Sequence, residues 1–243
     1  MSRPFAVFDI DGTIIRWQLY HALADELAQA GRVDQAKYQQ VREARLAWKH
    51  RADSAAFDDY ELRLIAMIED STQGLSVEIF EEACRAVLTK YKDQVYAYTR
   101  DLIAELRAKN YLLFAISASQ AQIVGLVADY YGFDDFGGST YEVKGGKFTG
   151  RSQILKHERK PEFLKSLVQK HGANWQDSIG VGDSDGDIPM LSAVEKPIAF
   201  NPTQVLFEHA RQQRWKIVLE RKNMVYELEP QDESYLLAQT NAR

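Results

Sequence analysis

Hydrophobic and polar positions along this chain change their period once, and that change divides it. A continuous apolar run, Phe5-Ala6-Val7-Phe8, reads as a buried strand. From Trp17 to about Gly31 the apolar residues Trp17, Tyr20, Leu23, Ala24, Leu27 and Ala28 recur at helical spacing. Helical patterns continue through 34–50, 55–70 and 76–91, with breaks near Gly31-Arg32, Ala52-Asp53-Ser54 and Thr72-Gln73-Gly74. From about residue 95 the pattern alternates: helix over 94–109, strand over 111–117, helix over 120–131, helix over 160–171, and strands over 178–181 and 197–200. Val143 to Gly150, with Gly145-Gly146 at its centre, reads as a hairpin. Such alternation predicts an α/β fold: a Rossmann-like parallel sheet with helices on both faces, carrying an inserted all-helical segment. The predicted division is a core of 1–16 and 95–243, with 17–94 as the insertion. Trp215 to Leu219 reads as a further strand and Met224 to Leu228 as an edge strand, while the polar end from Gln231 to Arg243 is expected to fray or pack as a short helix.

Composition narrows the class without choosing a function. At 243 residues and 45% hydrophobic, the chain can bury a substantial core. A net charge of −5 gives no support to nucleic-acid binding, and the basic stretch from Arg42 to Arg51 reads as a solvated helix face. No stretch of about 18 apolar residues is present to span a bilayer, so no membrane partner is expected. The single Cys84 excludes an intrachain disulfide and suits a reducing compartment. Met1-Ser2-Arg3-Pro4 leads straight into the first strand without an apolar segment of signal-peptide form, which points to the cytoplasm. The sequence does not set an oligomeric state.

The candidate chemistry lies where strands end. Asp9 and Asp11 follow the first strand at positions i and i+2, so both carboxylates can meet one ligand where the chain turns at Gly12. Adjacent anions repel, and the arrangement is relieved by a cation between them or by protonation of one. A hard divalent metal such as Mg²⁺ prefers oxygen ligands and leaves room for a phosphate. By itself this could be a solvated Asp-Gly turn. Three later segments supply matching partners: Ser117 at the end of Phe114-Ala115-Ile116, Lys160 at the head of a helix with Pro161 in its first turn, and the acidic loop Gly182-Asp183-Ser184-Asp185-Gly186-Asp187 after Ile179-Gly180-Val181. Singly these read as a cap serine, a surface lysine and a solvated turn, and the last lacks the spacing of an EF-hand.

Together, DIDGT at 9–13, SAS at 117–119, Lys160 and GDSDGDIPML at 182–191 resemble the four motifs of the haloacid dehalogenase superfamily, in the branch containing phosphoserine phosphatase. The resemblance covers residues 1 to about 220, and its helical cap corresponds to the insertion. It implies a Mg²⁺-dependent phosphatase acting on a small phosphomonoester. Asp9 would attack phosphorus and form an aspartyl-phosphate, and Asp11, with a raised pKa, would protonate the leaving alcohol and then activate water. Asp9, the backbone carbonyl of Asp11 and Asp183 would hold the metal. Ser117, Lys160 and backbone N–H groups near Gly12 would hold the phosphoryl oxygens, while Asp187 would orient Lys160 or a metal-bound water.

Some positions depart from the family pattern. Gln18 stands where phosphoserine phosphatases carry the glutamate that meets the substrate amine, and a neutral amide cannot supply that charge pairing. Arg63 is the nearest arginine for a substrate carboxylate, and Arg16 and Trp17 stand where they could contact a leaving group. Gly186 replaces the family's common asparagine, removing one polar contact near the phosphate. A phosphomutase or phosphotransferase of the same fold, or a non-catalytic phospho-ligand binder, are the alternatives.

Overall fold

The structure, a computed structural model, describes residues 2–50, 56–231 and 234–242. Its first strand, β1 (Pro4–Phe8), is followed by four helices, α1 (Leu19–Gln29), α2 (Gln35–Lys49), α3 (Ala56–Thr72) and α4 (Val77–Tyr91). The chain then alternates through α5 (Ala97–Ala108), β2 (Leu112–Gln120), α6 (Ala121–Tyr131), β3 (Asp135–Lys144), β4 (Lys147–Gln153), α7 (Lys160–His171), β5 (Asn174–Gly182), α8 (Ile188–Leu191), β6 (Lys196–Phe200), α9 (Gln204–Gln213), β7 (Lys216–Arg221), β8 (Met224–Gln231) and β9 (Ser234–Ala242). The expected break at Ala52-Asp53-Ser54 lies outside the described residues.

The sheet runs β4-β3-β2-β1-β5-β6-β7-β8-β9. Strands β3 to β7 in that spatial order are parallel, and antiparallel pairs close each end. Side chains alternate across β1 as the two-residue period requires. Ala6 and Phe8 join a core with α1, α4, α5 and α6, whereas Phe5 and Val7 pack with Leu164, Leu167 and Val168 of α7 on the opposite face. Both faces of the central strands are therefore covered, which explains why they read as continuous apolar runs rather than alternating ones. Among the described residues no helix is long and apolar enough to cross a membrane.

The C-terminal end differs from expectation. Residues 234–242 form a strand rather than a frayed segment or helix, and β9, not β8, is the sheet edge. Pairing with β8 satisfies the backbone of this polar segment, so local composition was a poor guide.

Two connections fix the helical segment to the sheet. At its base, the Arg16 N–H donates to Gln94 O at 2.8 Å and the Tyr96 N–H to Ile14 O at 3.1 Å. Glu220 of β7 accepts the N–H groups of Ala97 and Tyr98 at 3.1 and 2.8 Å, capping α5, and also pairs with Arg16. At the far end, the loop between α3 and α4 pairs with the β3–β4 hairpin. The Gly74 N–H donates to Phe148 O at 2.9 Å, the Phe148 N–H to Leu75 O at 3.0 Å and the Val77 N–H to Gly146 O at 3.0 Å. The Phe148 ring meets Phe80 of α4 edge-on, 5.0 Å between centroids.

Candidate active site

The parallel strands end at one edge, where loops bring together residues far apart in sequence. Asp9 follows β1 and is tied to the next strand by its N–H, 2.9 Å from Val181 O. Lys160 heads α7 and is buried; its ammonium donates to Asp9 Oδ1 at 2.8 Å and to Asp187 Oδ1 at 2.7 Å. The other Asp187 oxygen accepts from the backbone N–H groups of Asp183 and Ser184 at 3.2 and 3.1 Å and from the Ser184 hydroxyl at 3.0 Å. Asp187 thus fixes both the lysine and the loop that carries Asp183. Thr13 donates to Asp183 Oδ1 at 3.2 Å.

Asp11 is held apart from this group. Ser117 and Ser119 of β2 donate to its Oδ2 at 2.7 and 2.9 Å, and the Leu19 N–H at the start of α1 donates to Oδ1. The Ser117 oxygen in turn accepts the Ser119 N–H at 2.9 Å. The two carboxylates of the first motif therefore have different partners: a cation for Asp9, hydroxyls and an amide for Asp11.

Electrostatics follow from those partners. Burial and the Asp187 charge outweigh Lys160 and push the Asp9 carboxyl up to about 8. Burial, with the charges of Asp9 and Asp187, also raises Asp183 well above the usual carboxylate range. Burial raises Asp11 too, against the opposing bonds from Leu19, Ser117 and Ser119. For Asp187 burial is overcome by Lys160, and its carboxyl stays low; for Lys160 burial is overcome by Asp187 and Asp9, and its ammonium is strengthened. One ion pair is thus firmly charged, while Asp9 and Asp183 hold negative charge only at a cost. One ligand oxygen from each of Asp9, Asp183 and Asp187 lies within 4.8 Å of the others. Carboxylate oxygens that repel at that spacing, two of them on buried residues and the third on the half-buried Asp183, are a donor set suited to a hard divalent cation.

Gly12 makes the approach of Asp183 feasible. Its φ is +81°, and a Cβ there would lie 2.2 Å from Asp183 Oδ2. Its N–H, expected to meet the phosphoryl group, instead donates to Ile15 O at 3.0 Å, inside a tight turn in which Thr13, Ile14 and Ile15 all donate to Ile10 O.

Above these groups lies a cavity of about 290 Å³ lined by Asp9, Asp11, Ser117, Lys160 and Asp183. Two roomier hollows, of about 550 and 710 Å³, touch none of these carboxylates. Gln18, the residue before α1, lines the cavity. Arg63 does not: it is exposed and pairs with Asp59 at 2.8 Å, one helical turn away. Helix phase explains the correction, because Glu61, Leu64 and Ile65 of the same helix face the cavity and residue 63 falls on the opposite side. Arg16 is bound to Glu220 and to Val95 O, and the Trp17 ring stacks on Tyr91, so neither reaches the cavity. Thr13 and Ser119 stand inside the quoted motifs without a role assigned to them, and Tyr20, His21, Glu61 and His157 were not read as site residues; all hold a site carboxylate or line the cavity. For Ser119 a signal existed, two residues beyond Ser117 on the same strand face.

A parallel sheet with such a site at its strand ends defines a hydrolase class. A family model for haloacid dehalogenase-like hydrolases matches residues 6–192, and the chain belongs to that family. It is similar to the phosphoserine phosphatase of Methanocaldococcus jannaschii, 24% identical over 211 residues that cover 86% of this chain and 90% of that protein. It spans only about half the length of mycobacterial relatives that it also matches, such as SerB1, named a phosphoserine phosphatase, of Mycobacterium tuberculosis, of which 50% is covered at 28% identity. In fold it resembles a protein of unknown function from Bordetella pertussis, with a TM-score of 0.72 at 22% identity over 89% of this chain and 98% of that one. It also resembles a phosphoserine phosphatase solved as a phospho-aspartyl intermediate analogue, with a TM-score of 0.64 at 21% identity over 91% and 95%.

Proposed function

We propose that the chain is a metal-dependent phosphatase that hydrolyses a small phosphomonoester through an aspartyl-phosphate. The observation that carries this reading is the separation of roles between Asp9, buried against Lys160, and Asp11, held by two serines and an amide with its proton affinity raised. Asp9 Oδ attacks phosphorus as the ester P–O bond breaks, and the leaving alkoxide takes the proton carried by Asp11. Water then attacks the phosphoenzyme; Asp11, now a carboxylate, accepts a proton from that water as the bond from phosphorus to Asp9 breaks. Two carboxylates of distinct environment suit this succession of acid and base.

Asp9, Asp183 and the Asp11 carbonyl would hold Mg²⁺, with Asp187 close behind. When bound, the ion supplies positive charge that offsets repulsion between the nucleophile and the phosphate dianion. The raised proton affinities of Asp9 and Asp183 support a cation there, since both express a deficit of positive charge. In this reading residues 17–94 form a cap over a core of 1–16 and 95–243, and cap residues such as Gln18, Tyr20 and Glu61 select the leaving group.

The test is phosphate release from a panel of phosphorylated metabolites that includes phosphoserine, with and without Mg²⁺, alongside Asp9→Asn. Magnesium-dependent release abolished by the substitution is expected. Release that survives Asp9→Asn would exclude the covalent route.

A further inference from the structure

The donors expected to hold a phosphoryl group are largely engaged with the protein itself. Ser117 donates to Asp11, the Gly12 N–H donates to Ile15, and Lys160 uses two of its three donors on Asp9 and Asp187. Among the other donors on the cavity wall, one stands beside the catalytic lysine. His157 lines the same cavity as Asp9 and Asp11, in the short turn that runs directly into Lys160. Its side chain is exposed, and among the described residues no hydrogen bond engages its ring.

The ring lies over Gly186, a buried residue adjoining Asp187 in the loop that carries Asp183. A Cβ at position 186 would stand 2.3 Å from His157 Nδ1, 2.6 Å from Cε1 and 2.9 Å from Cγ. The imidazole therefore occupies the space that a side chain at 186 would fill, with its Nδ1 edge toward Gly186 and Nε2 on the far edge. Glycine at 186 and histidine at 157 are sterically one choice, made at two positions 29 residues apart.

We propose that His157 is a substrate-binding residue that donates a hydrogen bond to the bound phosphate ester, in the place where a polar side chain at position 186 would otherwise act. Gly186 is needed because it makes room for the ring. This rests on the phosphatase reading and adds to it the residue pair that completes the phosphate pocket.

The reciprocal occupancy can be tested by exchanging the two sides of the contact. His157→Ala, Gly186→Asn and the double variant are compared with wild type on an aryl phosphate and on the best ester of the panel, at saturating Mg²⁺, with thermal melts to register folding. His157→Ala is expected to raise KM about tenfold, equivalent to about 1.4 kcal/mol, with a smaller change in kcat. Gly186→Asn alone should lose both activity and stability through collision with the ring. The double variant should recover most of the KM lost in His157→Ala, because the asparagine then has both space and a phosphate to meet. His157→Gln, which keeps a donor, should fall between wild type and His157→Ala and serves if the alanine variant folds poorly. A KM within threefold of wild type in His157→Ala, or a double variant no better than His157→Ala, would overturn the inference while leaving the phosphatase reading intact. Absence of turnover by wild type on every ester would instead overturn that reading and the inference with it.

Discussion

His21 should make this fold acid-sensitive in a pH range where carboxylates ordinarily contribute little. The ring is 3% exposed, packed edge-on to Tyr60 at 4.8 Å and beside Trp48 at 6.2 Å between centroids. Burial, reinforced by the charges of Arg45 and Lys49 and opposed by Asp25, lowers its pKa from 6.5 to about 3. The unfolded chain therefore binds a proton below about pH 6.5 that the folded chain refuses until about pH 3, so unfolding becomes easier as pH falls. At about 1.4 kcal/mol per pH unit, lowering pH from about 6.5 to about 4 removes roughly 3 kcal/mol, a large part of the 5–15 kcal/mol typical of a domain. Urea unfolding of wild type and His21→Gln at pH 7, 6, 5 and 4 reads this directly. The glutamine variant should lose less of its stability over the same range, by roughly 3 kcal/mol. Raised carboxylates such as Asp9 and Asp183 act with the opposite sign, but they are common to both proteins and cancel in the difference. Asp25, held below 3.8 despite its burial by its bonds to Arg45, contributes stability that is lost only below about pH 4, outside the range. Parallel pH profiles for the two proteins would refute the reasoning.

Two other perturbations address the catalytic edge. Gly12→Ala places a methyl group 2.2 Å from Asp183 Oδ2 on a backbone with φ of +81°, and should lower stability by about 1–3 kcal/mol while weakening Mg²⁺ binding; unchanged metal affinity by calorimetry would count against Asp183 as a ligand. Lys160→Met leaves Asp9 and Asp187 buried without their cation and should cost about 3–5 kcal/mol at pH 7, with a smaller loss at pH 5, where protonation of Asp187, no longer held low by the lysine, relieves its unpaired charge; a loss under about 0.5 kcal/mol at pH 7 would show the pair to be structurally dispensable.

Much of the sheet was legible because its central strands are buried on both faces and its helices carry strong apolar periodicity. The elements that escaped were those whose stabilisation is not local. The hairpin read at 143–150 is present, with Val143 paired to Phe148, but the first part of β3, from Asp135 through Gly137-Gly138, escaped because those glycines carry no apolar side chain to register as a strand. α9 reads as polar, since little beyond Leu206 and Ala210 is buried along it. β9 exists through backbone pairing to β8, which composition does not report. At the site, the motif residues were readable because strand ends deliver them in fixed order. Arg63 was misassigned because a helix turns about 100° per residue, and distance along the chain says nothing about which side faces inward. The fit of His157 over Gly186 was beyond reach, for it depends on two loops meeting in space.

The attachment of the α3–α4 loop to the β3–β4 hairpin bears on how such enzymes can be recombined. The hairpin lies about 70 residues downstream of the loop it grips, yet the two share backbone hydrogen bonds and the Phe80–Phe148 contact. The helical segment is thus one half of a split module, with its other half encoded inside the sheet. A chimera that transplants residues 17–94 alone would leave the Phe148 ring without its Phe80 partner and the carbonyls of Gly146 and Phe148 without their donors, so a transferable unit must carry the hairpin with the helices.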